Sequence, residues 1–460
     1  MVWLIARRQI HDTVTSLKFP LFLILFSVSM LASTVLFQFR YLQCLEDYNV
    51  KVAEMREELS RDAKSLARLG SRWHKLHRKP PKLAMLCASG EDYVPNTIEW
   101  KSADLGAQYR VGRDNFLFRT ATQFDWTFII GLIVSLAAII FGYDAVSGEK
   151  QTGTLRLISA NPVPRAQVLW GKFLGLAAVL GTILAVGFLL AVTAAVILGH
   201  IPLQGGDFLR IHIFFATSVL YALVFLALAL LISSATHSAN VSLILLLVLW
   251  VVLVVVIPGT GGIVAKSLRP TQSQSELEGK LRKGRQAIEA EFRRKAMTGG
   301  FTTEEDWRRG LAQLSKAIRE SDSKVFLANR RRQLAQTHLG RNLTRLSPRA
   351  LFSFVAEGLA GTGLGGQLRF QENAQRYVNR FGDFIILKDK LDPKSLHLYF
   401  DRAGLSEKPV DSDEIPIFKQ SDPRLSESLN PALFDLALLF LMGVLAIMGA
   451  HLAFLRYDVR

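Results

Sequence analysis

Apolar positions in this chain gather into six blocks, separated by polar segments of very unequal length. The blocks cover residues 18–39, 125–142, 167–198, 211–234, 240–258 and 432–455. A helix needs roughly 20 apolar residues to cross a bilayer, and each block is near or above that length. Six transmembrane helices are therefore predicted. The third block is the longest, and Lys172 near its start would be costly at depth, so that end is expected to emerge into water.

Lysines and arginines beside the short segments set the orientation. Arg7, Arg8 and Lys18 precede the first block, Lys150, Arg156 and Arg165 lie between the second and third, and Arg456 and Arg460 follow the sixth. The segment between the third and fourth carries only Arg210. Both termini and residues 143–166 are expected in the cytoplasm. Residues 40–124 and 259–430 are then extracytoplasmic segments.

The polar segments carry patterns of their own. Residues 1–17 read as an interfacial amphipathic helix, with Trp3, Leu4, Ile10 and Val14 on one face and Arg7, Arg8 and Asp12 elsewhere. Leu45, Tyr48, Val52, Met55, Leu59, Ala63, Leu66 and Leu69 form a heptad-like seam, predicting a helix that stands out from the first span and packs on another. Pro80 and Pro81 break it, and Leu83 to Cys87 suits a strand. Farther on, Leu277, Leu281, Ile288 and Phe292 mark one helical arm, and Trp307, Leu311, Leu314 and Ile318 mark its return. Thr302 and Glu305 are spaced as a capping box for the returning arm. Ser347 and Pro348 suit N-cap and first helical position of a further helix. A mostly helical extracytoplasmic domain built from both outer segments is expected.

Half of the residues are hydrophobic and a fifth are charged, a combination that fits a membrane protein with sizeable aqueous parts. The net charge of +16 would suit nucleic acid or anionic membrane lipid. Most of the basic residues lie in the two outer segments, so lipid is the expected partner and nucleic acid is not. The two cysteines, Cys44 and Cys87, share the first outer segment and are candidates for a disulfide; two separate thiols is the simpler reading. The first block has full span length and no small-residue cleavage site, and reads as a span rather than a removable signal.

Chemical motifs are sparse. Gly361 to Gly366 fits G-x-G-x-x-G, but it follows a helical pattern with no βαβ unit, so it reads as a turn. No phosphate-loop motif occurs. His74 and His77 could share a helix face, yet no third ligand is in view and no metal site is predicted. Arg330 to Arg332 read as a solvated face or a headgroup contact. Asn342-Leu343-Thr344 matters as a glycosylation acceptor only in a eukaryotic secretory pathway. The spans lack the row of buried carboxylates that would mark an ion path, which argues against an ion-coupled transporter or channel.

Residues 143–165 stand apart. Asp144, Glu149 and Lys150 give a charged helical surface, Gly153 and Thr154 break it, and Leu155, Leu157 and Ile158 beside Arg156 offer apolar contacts. Pro162 and Pro164 end the element. A short rigid helix held between two spans would pass motion from a cytoplasmic partner into the membrane. An amphipathic loop resting on headgroups fits the residues equally well.

The stretch "YDAVSGEKQTGTLRLISANPVPRAQVLWGKFLG" resembles the signature of ABC-2 type permeases, through Glu149, Gly153, Thr154, Leu155, Pro162, Val163, Arg165, Gly171 and Lys172. The ending "FLRYDVR" and the outer "LSPRALFSFVAEGLAGTG" resemble the NosY-like branch with large extracytoplasmic insertions. The resemblance implies an all-α membrane protein of six spans, a type V ABC exporter-like permease in a bacterial cytoplasmic (inner) membrane. It implies a second permease chain, making a homo- or heterodimer, and separately encoded ATPase subunits that bind ATP and Mg. It assigns no cofactor and no catalytic residue to this chain. ATPase docking would fall on the coupling helix of residues 143–166, with Asp144, Glu149, Lys150, Gly153, Thr154, Leu155 and Arg156, and on the interfacial helix with Arg7 and Arg8. Export of a substrate is the implied activity, and the apolar spans are compatible with a hydrophobic one. The outer mass departs from minimal members of the family and raises an alternative, mechanical work on an extracytoplasmic partner protein with no substrate crossing. A receptor or scaffold without an ATPase is the third reading.

Overall fold

Helices form where the apolar blocks lie and run on well past several of them. The computed structural model describes residues 1–88, 96–101, 124–154, 164–399, 404–421 and 424–456. The elements are α1 (Val2–Val14), α2 (Lys18–Asp62), α3 (Leu66–Ser71), β1 (His74–His77), β2 (Thr97–Trp100), α4 (residues 126–142), α5 (Ser147–Thr152), α6 (Arg165–Leu198) and α7 (Gly205–Ala235). They continue with α8 (Ala239–Leu268), α9 (Gln274–Met297), α10 (Glu304–Thr344), α11 (Pro348–Ala360), α12 (Gly363–Lys390) and α13 (Leu425–Leu455). Six helices are long and apolar enough to cross a membrane: α2, α4 with α5, α6, α7, α8 and α13.

The bundle is centred on α4, α6 and α7. Fully buried Trp126 lies edge-on to Phe188 at 5.3 Å, and its indole N–H donates to Thr34 Oγ1 at 3.1 Å, so the ring is both packed and satisfied. Phe352 of α11 stacks on Tyr221 of α7 at 4.8 Å, which ties a helix outside the six spans to the bundle core.

Two spans contain a π-helical turn, Ile130–Val134 in α4 and Val252–Val256 in α8. Such a turn frees carbonyls that need other donors. Tyr221 Oη and Ser135 Oγ donate to the Gly131 carbonyl at 2.8 and 2.7 Å, and Trp250 Nε1 donates to Ser135 Oγ at 2.8 Å. Arg349 Nη1 donates to the Val254 carbonyl at 3.1 Å, and Ser347 Oγ donates to that of Leu253.

Outside the bundle, the far end of α2 continues unbroken from its span. Its 45 residues make a rod of about 68 Å. Met55, Leu59, Ala63, Leu66 and Leu69 of the predicted seam are buried against Phe370, Tyr377, Phe381 and Ile385 of α12. Both long polar segments thus share one core. Trp100 of β2 seals it, edge-on to Phe381 at 4.6 Å and to Tyr377 at 5.2 Å. From the end of α8, α9 and α10 project as a helical hairpin, with Thr344 packed on Gly261, and α9 has no buried residue.

Several expectations are corrected. The chain is mostly helical rather than all-α, because β1 and β2 pair antiparallel with His74 opposite Trp100 and His77 opposite Thr97. Strand alternation, not a helix face, governs His74 and His77: the first is buried against Trp100 and the second sits on the other side of the sheet. Residues 83–87 are a buried turn rather than a strand. Their carbonyls are used elsewhere, since Trp126 N and Thr127 N donate to Met85 O and Leu86 O at 3.0 Å and so close the free amide end of α4. The capping box of α10 sits one residue later than expected, with Thr303 as N-cap and Asp306 as its reciprocal partner. No disulfide joins Cys44 to Cys87. Cys44 is exposed on α2 and Cys87 is buried in the turn before α4. Ser347 is the N-cap of α11, its hydroxyl accepting from Ala350 N, with Pro348 in the first position.

Candidate functional site

At one end of the bundle α1, α5 and the start of α6 form a joined surface. α1 lies across α6, where two glycines permit close approach. A Cβ at Gly171 would stand 2.7 Å from the Ile5 Cβ, and one at Gly175 would stand 2.8 Å from the Ala6 carbonyl oxygen. Ala6 and Thr13 are buried on the side of α1 that meets α6. Trp3, Leu4, Arg7, Arg8 and Val14 face outward, and Arg8 lies 3.8 Å from Asp12.

α5 is one and a half turns long and too short to hold itself. The bundle holds it through several polar contacts. Ser233 Oγ of α7 accepts from Val146 N and Ser147 N at 3.0 Å each, taking up amides at the start of the helix. Lys150 Nζ donates to the Ser234 carbonyl and, at 3.1 Å, to that of Thr236, capping the carbonyl end of α7. Gln151 Oε1 accepts from Ala239 N at the start of α8. Gly153, at φ +77°, supplies the left-handed residue that stops the helix.

Three charged contacts finish the surface. Lys172 is 4% exposed, and its ammonium meets Glu149 Oε1 at 2.7 Å and the Ala145 carbonyl at 2.6 Å. Asp144 pairs with Lys18 at 3.1 Å, and the same ammonium lies 4.7 Å over the Tyr143 ring. Arg165 Nη1 donates to the Leu455 carbonyl at the end of α13 at 2.9 Å. Among the residues singled out from sequence, Asp144, Glu149 and Lys150 are turned inward to the protein's own helices. Thr154 is exposed beside the Glu149 carbonyl, and Leu155 and Arg156 lie outside the described residues.

Sequence reasoning missed Ser233 and the inward role of Lys172. The polar run Ser233, Ser234, Thr236 and Ser238 at the end of an apolar span was the available signal. Among the described residues the surface holds no nucleophile-and-base pair. Among the described residues no group of His, Cys, Asp and Glu is placed to hold a metal.

Residues 3–459 match the family described as ABC-2 family transporter protein. The chain is 36% identical over 126 residues to the probable ABC transporter permease protein NosY of Pseudomonas aeruginosa, covering 27% of this chain and 45% of that protein. It is 31% identical over 145 residues to the corresponding protein of Stutzerimonas stutzeri, covering 32% and 52%. The matches thus span about half the length of these curated relatives. With a family match running over nearly its whole length, the chain belongs to the ABC-2 family of transporter proteins.

Proposed function

We propose that this chain is the permease subunit of an ABC transporter, driven by a separate ATPase subunit and exporting a substrate across a bacterial cytoplasmic membrane. One observation carries the reading: α5, a helix too short to stand alone, is fastened to α7 and α8 by side chains that satisfy their backbone ends and to α6 by the Glu149–Lys172 ion pair. A force on α5 therefore reaches three spans without passing through a flexible linker. Arg7, Arg8 and Thr154 are the exposed groups available to a docked ATPase, whereas Glu149 positions α5 on Lys172. ATP and Mg would be bound by the ATPase, with this chain transmitting closure and reopening of the ATPase pair. A second permease chain completes the membrane unit.

Mechanical work on an extracytoplasmic partner is the second reading, and a specific contact favours it. The hairpin base is clamped to the bundle: Arg345, just after α10, meets Asp435 of α13 at 2.7 Å, and Arg341 of α10 meets Glu357 of α11 at 2.6 Å. α10 is 41 residues long, so its far end reaches about 60 Å from that clamp.

Affinity purification of the full chain from its native membrane in mild detergent, followed by mass spectrometry, is expected to return an ATPase subunit in stoichiometric amount. Arg7→Glu combined with Arg8→Glu is expected to lower that recovery several-fold while the chain still inserts and folds. A clean preparation without any ATPase, repeated across detergents, would overturn the proposal. Stimulation of the ATPase by candidate substrates favours export, and stimulation by a periplasmic protein alone favours mechanical work.

A further inference from the structure

The span α8 sets the level at which a membrane surface meets the root of the helical hairpin. Residues 239–265 hold no charged side chain. At 1.5 Å per residue they extend about 40 Å, the thickness of a bilayer with its headgroups. The first cations, Lys266 and Arg269, therefore arrive in the headgroup layer at the far end of the span, and both are exposed. α10 returns alongside, and three contacts fix its register. Thr344 packs on Gly261, Gly340 lies opposite Ala265, and Gln336 Nε2 donates to the Arg269 carbonyl at 2.7 Å. Arg332 stands one turn, about 6 Å, beyond Gln336 along α10, and Arg330 about 9 Å beyond it.

Apolar and cationic groups are layered at this level. Ile263, Leu268 and Leu346 are 66%, 63% and 68% exposed, so the apolar surface continues to the end of the span. Residues 258–275 and 328–346 together hold seven lysines and arginines and no aspartate or glutamate. Arg341 and Arg345 pair with Glu357 and Asp435. The other five, Lys266, Arg269 and Arg330 to Arg332, are exposed. Consecutive residues point about 100° apart around a helix, so three exposed arginines in a row wrap α10 in positive charge. With its amide oxygen turned toward them, Gln272 accepts from Arg332 Nη1 at 3.0 Å and from Lys280 Nζ, which ties the start of α9 into the same layer. The far half of the hairpin, residues 289–315, is balanced, with five charges of each sign. Its cations pair along their own helices, Arg293 with Glu289 at 3.5 Å and Arg308 with Glu304 at 2.7 Å. The excess of positive charge is a property of the root.

We infer that this belt binds the headgroups of anionic phospholipids in the leaflet where α8 ends. Such a lipid matches both layers. Its acyl chains cover Ile263, Leu268 and Leu346, and its phosphate oxygens meet guanidinium forks just beyond them. Lys266 sits where a lysine stem can lie along apolar surface while the ammonium reaches the headgroups. An acidic protein would match the cations and leave the apolar layer uncovered. Lipid bound here holds the hairpin root at the membrane surface, beside the Arg345–Asp435 pair. The inference rests on α8 crossing the bilayer and is independent of the ATPase-coupled reading.

The test uses the full chain, delipidated in an uncharged detergent. Phosphatidylglycerol and phosphatidylcholine are titrated against it, and bound lipid is counted by native mass spectrometry at low and high salt. Phosphatidylglycerol is expected to bind in preference, and less so at high salt. Each basic residue near an anionic surface is worth about fivefold in affinity, so Arg330→Gln with Arg331→Gln and Arg332→Gln should weaken phosphatidylglycerol binding at least about tenfold. Arg293→Gln with Arg294→Gln and Lys295→Gln removes equal charge from the hairpin tip and should leave binding unchanged. Lys266→Gln with Arg269→Gln tests the α8 side of the belt should the triple variant not fold. In nanodiscs, amide exchange over residues 266–276 should slow several-fold in phosphatidylglycerol relative to phosphatidylcholine, which places the lipid at the root. Equal affinity for the two lipids overturns the inference and leaves the belt to an acidic protein. A preference untouched by both belt variants, a preference lost equally in the tip variant, or one without protection at residues 266–276 overturns it as well.

Discussion

Replacing Lys172 by methionine removes the ammonium that joins α5 to α6 while keeping most of the side-chain volume. The Nζ to Oε1 distance of 2.7 Å corresponds to about 6 kcal/mol of attraction at an effective dielectric near 20. Taking Lys172 out of water cancels most of that, so the pair is worth little against two apolar residues. Losing one partner is a different matter. Glu149 Oε2 already makes no hydrogen bond, and the substitution would leave Oε1 and the Ala145 carbonyl without their donor. With the Glu149 side chain 28% exposed, water recovers part of the loss, and Lys172→Met should cost about 2–3 kcal/mol. Glu149→Met should cost less, and the double variant should be nearly as stable as the parent, a coupling of about 2 kcal/mol. Unfolding of the full chain by titrated dodecyl sulfate in mild detergent measures all four corners of the cycle. A coupling below about 0.5 kcal/mol would refute the argument that this pair fastens α5. The same geometry governs how Glu149→Lys reads: it sets two ammonium groups against each other and breaks the stub, so it cannot serve as a pure test of docking.

Other outcomes follow from single contacts. Arg345→Met abandons Asp435 in buried surroundings at a cost of about 3 kcal/mol, and limited proteolysis between α9 and α10 should quicken; Asp435→Leu in the same chain should restore protection, and equal cleavage of all three would sink the clamp. Burial first, then Lys51 and Lys75, hold the His77 imidazole down to about 4 against 6.5 in the unfolded chain. The unfolded chain therefore takes up the proton first, and stability is full above pH 6.5 and falls as pH drops toward 4; His77→Gln should flatten that slope, and an unaltered slope would count against the assignment. Thr303→Ala deletes the hydroxyl that accepts from Asp306 N at 3.0 Å, costing about 1 kcal/mol and speeding amide exchange in the first turn of α10; unchanged exchange there contradicts the cap. A maleimide should label Cys44 in the native chain and Cys87 only after unfolding, and an impermeant reagent should reach Cys44 on intact cells; protection of Cys44 would reverse the orientation drawn for α2.

The spans were legible because bilayer thickness imposes a length on apolar runs that no soluble element needs. The seam was legible in part: its spacing marks the covered positions from Met55 to Leu69, but not the break between α2, which ends at Asp62, and α3, which starts at Leu66. It could not name α12 as the covering helix, because a partner more than 300 residues away leaves no mark in local periodicity. Residues 83–87 misled for a related reason: an apolar run reports burial, and burial here comes from carbonyls turned toward the start of α4 rather than from pairing in a sheet. The capping box slipped by one residue because Thr302 and Thr303 are adjacent and either can lead an acidic residue three positions later. The region of α5 was legible as a charged stub between apolar blocks, but not as an inward-facing one. Asp144, Glu149 and Lys150 look like surface charges until Lys18, Lys172 and the ends of α7 are set beside them.

The π-helical turn in α8 has a consequence for motion. It holds one residue more than an ordinary turn, so the two halves of α8 are rotated by about 100° relative to an unbroken helix. Expelling that residue would turn one half by this angle and slide it by about 1.5 Å. The Leu253 and Val254 carbonyls would rejoin their own ladder, and Ser347 and Arg349 would lose their acceptors where Ser347 and Val254 are buried by the protein itself. The first turn of α11 therefore acts as a pawl on α8. The span cannot be re-indexed by a residue unless α11 lifts, and α11 leads directly into α12 and the domain beyond.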